Sequence, residues 1–289
     1  MVKQTSGEKL FHTANHVFMT VLGLSMLFPF VHILAKSLSD DSYVLAKEVT
    51  LLPKGFHLGS FEYVLNNKQY LLSFGNSVFI TVVGTLLSMI ITIMAAYPLS
   101  KQGMPGKRVI MLLYVITMFF SGGIVPTYLV VRELALTNTL WSLIWPTVLV
   151  PFNLILLRSF FSSIPEALEE SAKMDGATHT RTLISIYLPL SLPSIATVSM
   201  FYAVMYWNNF FNALMYITDR KLIPLQVYLM QIIQDESNVS MSDVEALMHS
   251  APESIRAATI ILAIVPILIV YPFVQRFFVQ GVMLGAVKG

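Results

Sequence analysis

Six apolar runs, each near the length that crosses a hydrocarbon core, set the class of fold for this chain. They fall at about 12–35, 71–100, 109–131, 140–161, 194–217 and 256–279. About 20 apolar residues are needed to span a bilayer as a helix. Backbone groups in lipid must find partners within their own segment, so each run predicts a helix and not an isolated strand. The fold class is therefore all-α, a polytopic membrane protein with six transmembrane helices in a single domain over 1–289. Composition supports this, since 12% of residues are charged, 55% are hydrophobic and the mean hydropathy is +0.70. A soluble domain carries roughly a quarter charged residues. Pro29, Pro98, Pro126, Pro146, Pro151, Pro266 and Pro272 lie in or near the runs, which predicts kinked helices packed as a bundle.

Charge placement sets the expected orientation. With both termini cytoplasmic, the inner segments hold ten basic residues: Lys3, Lys9, Lys101, Lys107, Arg108, Arg158, Lys173, Arg181, Arg276 and Lys288. Against them stand Glu8, Glu166, Glu169, Glu170 and Asp175. The short 101–108 loop, with its three cations, is the strongest indicator under the positive-inside rule. Lys3 and Lys9 ahead of an apolar run suggest a signal peptide. The run is long, however, and Lys36 follows the nearest small-residue site, so the first span reads as uncleaved. No repeat of 20–50 residues is evident.

Two outer loops are substantial. Residues 36–70 are turn-rich, with Asp40, Asp41, Pro53, Gly55 and Gly59. Residues 218–255 contain an amphipathic helix expected to start near Pro224. Leu225, Leu229, Ile232 and Ile233 form its apolar face, opposite Gln226, Gln231 and Gln234. Asn238-Val239-Ser240 fits a glycosylation pattern too common to carry weight.

Between the fourth and fifth runs lies a polar insert, 162–193. Ser163-Ile164-Pro165-Glu166 has the spacing of a capping box with proline near the helix start. Glu166, Glu169 and Glu170 complement the helix dipole, and Gly176 is placed to end the helix in a left-handed conformation. A second helix is expected from Thr178 to Leu188, stopping at Pro189. The charge count puts this helix–turn–helix on the cytoplasmic side. A segment this ordered and polar is suited to touching a cytoplasmic partner.

Glu170-Ser171-Ala172, three residues, Gly176, nine residues and Ile186-Tyr187-Leu188-Pro189 resemble the EAA loop of permease subunits in bacterial ABC importers. Every spacing of that pattern is met, with Ser171 replacing its first alanine. The longer string from Ile164-Pro165-Glu166 through Leu168-Glu169-Glu170 to Asp175-Gly176-Ala177 is similar to the carbohydrate-uptake, maltose-importer-like branch. Phe120-Ser121-Gly122-Gly123 and Val125-Pro126 look like a subgroup importing complex or pectic oligosaccharides. Trp207-Asn208-Asn209-Phe210-Phe211-Asn212 and the ending Gly281 to Gly289 extend the likeness over most of the chain.

The resemblance implies a type I importer permease that translocates a sugar or oligosaccharide by alternating access. It implies a second homologous permease as heterodimer partner, two cytoplasmic ATPase subunits holding ATP and Mg, and an extracytoplasmic solute-binding protein. Glu166, Glu169, Glu170, Ser171, Ala172, Asp175, Gly176, Ala177 and Pro189 would form the ATPase-coupling loop. The C-terminal tail from Gly281 is a second candidate contact with the ATPases. The location implied is the bacterial cytoplasmic membrane.

Other chemistries lack their groups. No Gly-x-x-x-x-Gly-Lys-Ser/Thr loop occurs, so this chain is not expected to hydrolyse ATP, and no cofactor of its own is expected. His-Glu-x-x-His and Gly-x-Ser-x-Gly are absent. His12, His16, His32, His57, His179 and His249 show no metal-ligand spacing, and the absence of cysteine removes disulfides and thiolate sites. The net charge of +2 does not point to nucleic acid.

Polar groups in the fifth run should face protein or a water-filled path. Tyr202, Tyr206, Trp207, Asn208, Asn209 and Asn212 are the candidate substrate path, aromatic rings for sugar faces and amides for hydroxyls. Asn208 and Asn212 would share a helical face. Bonding between helices is the competing role for these side chains. Three other functions remain: import of a non-sugar solute such as a peptide, ion-coupled secondary transport, and a structural or signalling protein that recruits a partner through the insert. The second lacks a central acidic residue within a span.

Overall fold

The computed structural model describes residues 6–234 and 253–286. Among these residues the elements are helical throughout. The Asn238-Val239-Ser240 sequence and the last three residues lie outside them.

Among the described residues, three helices are long enough and apolar enough to cross a membrane: Gly7–Ser37, Lys68–Ser100 and Glu253–Val270. They belong to α1 (Ser6–Ser37), α4 (Lys68–Ser100) and α14 (Glu253–Ala286). Helices thus cover the first, second and sixth runs. The other three expected spans are broken. α5 (Lys107–Phe119) and α6 (Ile124–Glu133) meet at 115°. Two 3₁₀ turns, Leu140–Leu143 and Trp145–Thr147, meet α7 (Pro151–Ser162) at 52°. Among the described residues, length and composition allow three spans, or up to six if each bent pair, the third being His179–Leu190 with Leu192–Trp207, is one span.

The breaks have identifiable causes. Between α5 and α6, Gly123 takes φ +89° and ψ 176°, a region open to glycine alone. Its N–H is held by Ser121 Oγ at 3.1 Å. Pro146 and Pro151 bracket the break before α7, where proline at the first position suits a helix start. The fifth run is not the continuous helix expected over 194–217. α11 (Leu192–Trp207) ends at Trp207, and α12 (Phe211–Tyr216) follows a break at Asn208 to Phe210.

The chain packs as two compact units. In the first, Met1–Lys68 with Leu229–Val265, the end of α1 packs through Ala35 on Val44 and Val49. Asp40 caps the short helix α2 (Asp41–Leu45) by accepting from Ser42 N–H. Lys36 pairs with Glu253, and Ser254 donates to Asp41. Helix α3 (Gly59–Asn66) ends this stretch.

In the second unit, Gln69–Tyr228 with Pro266–Gly289, α4 is the central post. Ser73, Ser77, Ile80, Gly84, Ser88, Thr92 and Ala96 recur every third or fourth residue and are all buried. Small residues at that spacing let helix backbones approach closely. A Cβ on Gly84 would lie 2.8 Å from the Tyr206 ring, so only glycine fits there. The amphipathic helix expected after Pro224 is α13 (Leu225–Gln234). Its buried residues are Leu225, Val227 and Tyr228, while Ile233 is exposed, so the apolar face differs from the predicted stripe. The reason is tertiary: Ser77 Oγ accepts from Leu225 N–H at 2.8 Å and fixes the start of the helix.

Candidate functional site

The polar insert folds as α8 (Glu166–Met174), a glycine turn, and a second helical stretch. That stretch comprises α9 (His179–Thr182), a π turn (Leu183–Tyr187) and α10 (Leu188–Leu190), after which α11 (Leu192–Trp207) turns away at 84°.

The turn is closed from both sides. Gly176 has φ +75°. Its N–H donates to Lys173 O at 3.0 Å, and Ala177 N–H donates to Ala172 O at 2.9 Å. These two bonds are the Schellman pattern, which takes up carbonyls left free at a helix end. Thr178 then caps the next helix, its Oγ1 accepting from Arg181 N–H at 3.3 Å.

Two local expectations need correction. Ser163 does not cap α8. It ends α7, and its hydroxyl donates to Phe160 O at 2.7 Å; Pro165 takes the cap position without a side-chain bond. Pro189 does not stop the second helix, which runs to Leu190. Proline lacks the N–H that would bond to Ser185, and the π turn, with Leu188 N–H donating to Leu183 O, carries the chain through that gap.

Glu169 is the electrostatic centre of the insert and is 8% exposed. Its carboxylate pairs with Lys101, accepts from Lys173 Nζ at 3.1 Å and accepts from Tyr187 OH at 3.0 Å. The Lys101 ammonium sits 4.1 Å from the Tyr97 ring centre and 3.9 Å from that of Tyr187. The two rings meet edge to face at 5.0 Å, and Phe161 closes on Tyr187 at 5.7 Å. Burial alone would raise the Glu169 carboxyl, but the bonds from Lys101, Lys173 and Tyr187 outweigh it and hold the group down at about 2. Burial pulls the Lys101 ammonium below its ordinary value, with Glu169 opposing. Burial and the bond to Glu169 push the Tyr187 phenol up.

Glu169 therefore spends its charge inside the chain, tying α8 to the end of α4 and to the π turn. Its carboxylate is occupied within the chain. Glu166, Glu170, Ser171, Asp175 and Gly176 are exposed, Ala172 and Ala177 are half-buried, and Pro189 is exposed. Leu168 and Met174 are also exposed, Met174 at 88%. Sequence reasoning passed over Lys101, Tyr97 and Tyr187 as anchors and Met174 as a surface residue. A lone lysine directly after a span, with tyrosines near both ends of the pair, was the available signal.

The candidate substrate path divides. Tyr202 and Tyr206 are fully buried. Tyr202 OH bonds with Thr92 Oγ1 at 2.8 Å and accepts from Val150 N–H at 3.1 Å. Tyr206 OH bonds with Ser88 Oγ at 2.8 Å and donates to Ile144 O at 3.3 Å. The physical reason is that a phenol in an apolar interior needs a partner, and α4 supplies one for each. Trp207 is buried edge-on against Phe74 at 6.2 Å. Asn209 donates to Leu143 O at 3.2 Å, which ties the break in the fifth run to the 3₁₀ turns. Asn208 is exposed and its amide donates to Val204 O at 2.9 Å. Asn208 and Asn212 do not share a helical face, because the helix breaks between them.

An all-helical membrane protein with broken spans and a clamped polar helix–turn–helix has the build of a transport permease. Residues 14–284 match the family described as the binding-protein-dependent transport system inner membrane component, and this chain belongs to that family. It is 41% identical over 284 residues to the polygalacturonan/rhamnogalacturonan transport system permease protein YtcP of Bacillus subtilis (strain 168), covering 98% of this chain and 99% of that one. A crystal structure of a bacterial ABC transporter involved in import of the acidic polysaccharide alginate contains a chain with TM-score 0.89 and 33% identity, covering 96% of this chain and 100% of that one. A second chain shares the fold alone, with TM-score 0.57 and 17% identity over 93% and 95% of the two chains. It comes from a bacterial alginate ABC transporter in complex with alginate pentasaccharide-bound periplasmic protein.

Proposed function

We propose that this chain is the permease subunit of an ATP-driven importer of oligosaccharides, with acidic, uronate-containing chains as the preferred class. The observation that carries the coupling mechanism is the clamp on Glu169. A loop that transmits force must be rigid towards its own bundle and open towards its driver. α8 meets both needs, with Glu169 locked to Lys101 and Tyr187 behind it and Ala167, Leu168, Glu170, Ser171 and Met174 exposed in front.

In this reading a cytoplasmic ATPase holds ATP and Mg and receives the exposed side of α8. A second permease completes the path, and an extracytoplasmic binding protein delivers the sugar. Both termini and the insert lie in the cytoplasm, in keeping with the cations of the 101–108 loop. Each ATPase movement reaches α4 through the Glu169–Lys101 pair and α11 through the second helical stretch. The substrate class rests on similarity to YtcP and to the alginate importer chain.

The test is reconstitution with both ATPases, the second permease and the binding protein in proteoliposomes, scored for uptake of oligogalacturonate, neutral oligosaccharides and peptides. Uptake of the acidic sugar that requires ATP inside is the expected result. Uptake that survives an ATPase variant unable to hydrolyse ATP, and follows an ion gradient instead, would reject the reading. Preferred uptake of peptides would reject the substrate class.

A further inference from the structure

The segment between α4 and α5 carries a feature that coupling leaves unused. A shallow groove of about 490 Å³ is lined by Gln102, Lys107, Arg108 and Arg158, with Val109 and Met111 on its apolar side. Arg158 Nε donates to Leu99 O at 3.0 Å, and Lys107 Nζ donates to Lys101 O at 2.9 Å. Both bonds fix position without cancelling charge. Among the described residues, none of the three cations has a carboxylate within ion-pair distance. Burial, reinforced by the positive charge of Arg158, pulls Lys107 below its ordinary value.

Like charges held together without a counterion are costly, and the cost is relieved by an anion. The groove's place in the chain narrows the choice of anion. It sits where α4 ends and α5 begins, which on the proposed permease reading is the bilayer surface. Val109, 61% exposed, starts the apolar side of α5 immediately beside the cations. A ligand that satisfies both halves carries a phosphate next to an acyl chain. A zwitterionic lipid brings its own cation to the site and matches it less well. Inorganic phosphate would leave the apolar wall bare.

We propose that this groove binds the headgroup of an anionic phospholipid, with the phosphate at Lys107, Arg108 and Arg158 and the acyl chain along Val109 and Met111. The bound lipid would anchor the α4–α5 junction directly behind Lys101, the residue that holds the clamp.

The experiment reads lipid occupancy and does not depend on transport or on the sugar. The assembled transporter is reconstituted in mixed phosphatidylcholine and phosphatidylglycerol vesicles and re-extracted. Phosphatidylglycerol retained per complex is then counted by native mass spectrometry. Retention is expected in the wild type, and Lys107→Arg should preserve it. Removing charge should weaken it about fivefold for each side chain, so the Lys107→Gln/Arg108→Gln pair loses most of it. Arg158 is left intact because its bond to Leu99 O supports α7. Three results would overturn the proposal. The double variant could retain phosphatidylglycerol like the wild type. Inorganic phosphate could displace the lipid completely, which would mark a free-anion site. Or the double variant could lose the ATPase subunits while keeping its lipid, which would mark a protein contact.

Discussion

Replacing Glu169 by Gln keeps the shape of the clamp and removes its charge. Of its three partners, Lys173 is half exposed and one helical turn away, so its share is about 0.3–0.5 kcal/mol. Lys101 is 21% exposed and lies between two tyrosine rings, so its loss of a counterion is the main cost. Breaking a buried pair from one side costs about 3–5 kcal/mol, and partial access to water places this case at or below the lower end. The carboxyl gives an independent figure. Its fall from 4.5 to about 2 corresponds to about 3 kcal/mol at most, before screening by water is counted. A loss of about 2–3 kcal/mol in the docking of α8 is therefore expected. Membrane proteins of this kind do not unfold in two states, so the assay is local. Hydrogen exchange across 166–187 in the assembled transporter should quicken by about thirty- to a hundred-and-fiftyfold in Glu169→Gln. Lys173→Ala should change it by about twofold. Exchange in Glu169→Gln within twofold of wild type, or an equal effect from Lys173→Ala, would refute the clamp.

Three further outcomes are expected. Gly176 has φ +75° and nothing within 4 Å of a built Cβ, so substitution there strains the backbone without a clash. ATPase binding and uptake should fall in the order Gly, Asn, Ala, Val, with Gly176→Ala costing about 1–2 kcal/mol; an unchanged Gly176→Val would remove the turn from the mechanism. Tyr202→Phe should lower the melting temperature of the assembled transporter by orphaning Val150 N–H and Thr92 Oγ1, yet leave the sugar concentration for half-maximal uptake unchanged. A selective shift in that concentration would return Tyr202 to the path. Glu169 titrates lower in the folded chain than its ordinary 4.5, so its stabilisation is full above that pH and lost as pH falls towards about 2. Exchange over 166–187, corrected for intrinsic rates, should rise through that window in the wild type, and Glu169→Gln should lack the rise.

The placement of the insert was legible because local chemistry fixes it. Gly176 is the residue a left-handed turn selects, and it stands at the observed +75°. Ser163 was misread because a capping-box spacing is also met by a residue closing the preceding helix, and nothing local separates the two. For Tyr202 and Tyr206 two roles stayed open in the sequence, because aromatic residues on one helix face look alike whether they line a path or hold a neighbour. The small-residue recurrence of α4 was the overlooked sign, since Ser88 and Thr92 repeat at the spacing that meets both phenols.

By itself the sequence determined that this chain lives in a bilayer as helices, and that a polar helix–turn–helix separates two of its apolar runs. Those properties follow from runs of neighbours, because burial of apolar surface and capping act over a few residues. Only the tertiary structure decided which carboxylate is free. Glu169 and Glu170 are adjacent and identical in type, yet one faces Lys101, 68 residues earlier in the chain, and the other faces water. The difference comes from where α4 ends in space, which the order of residues around position 169 does not encode.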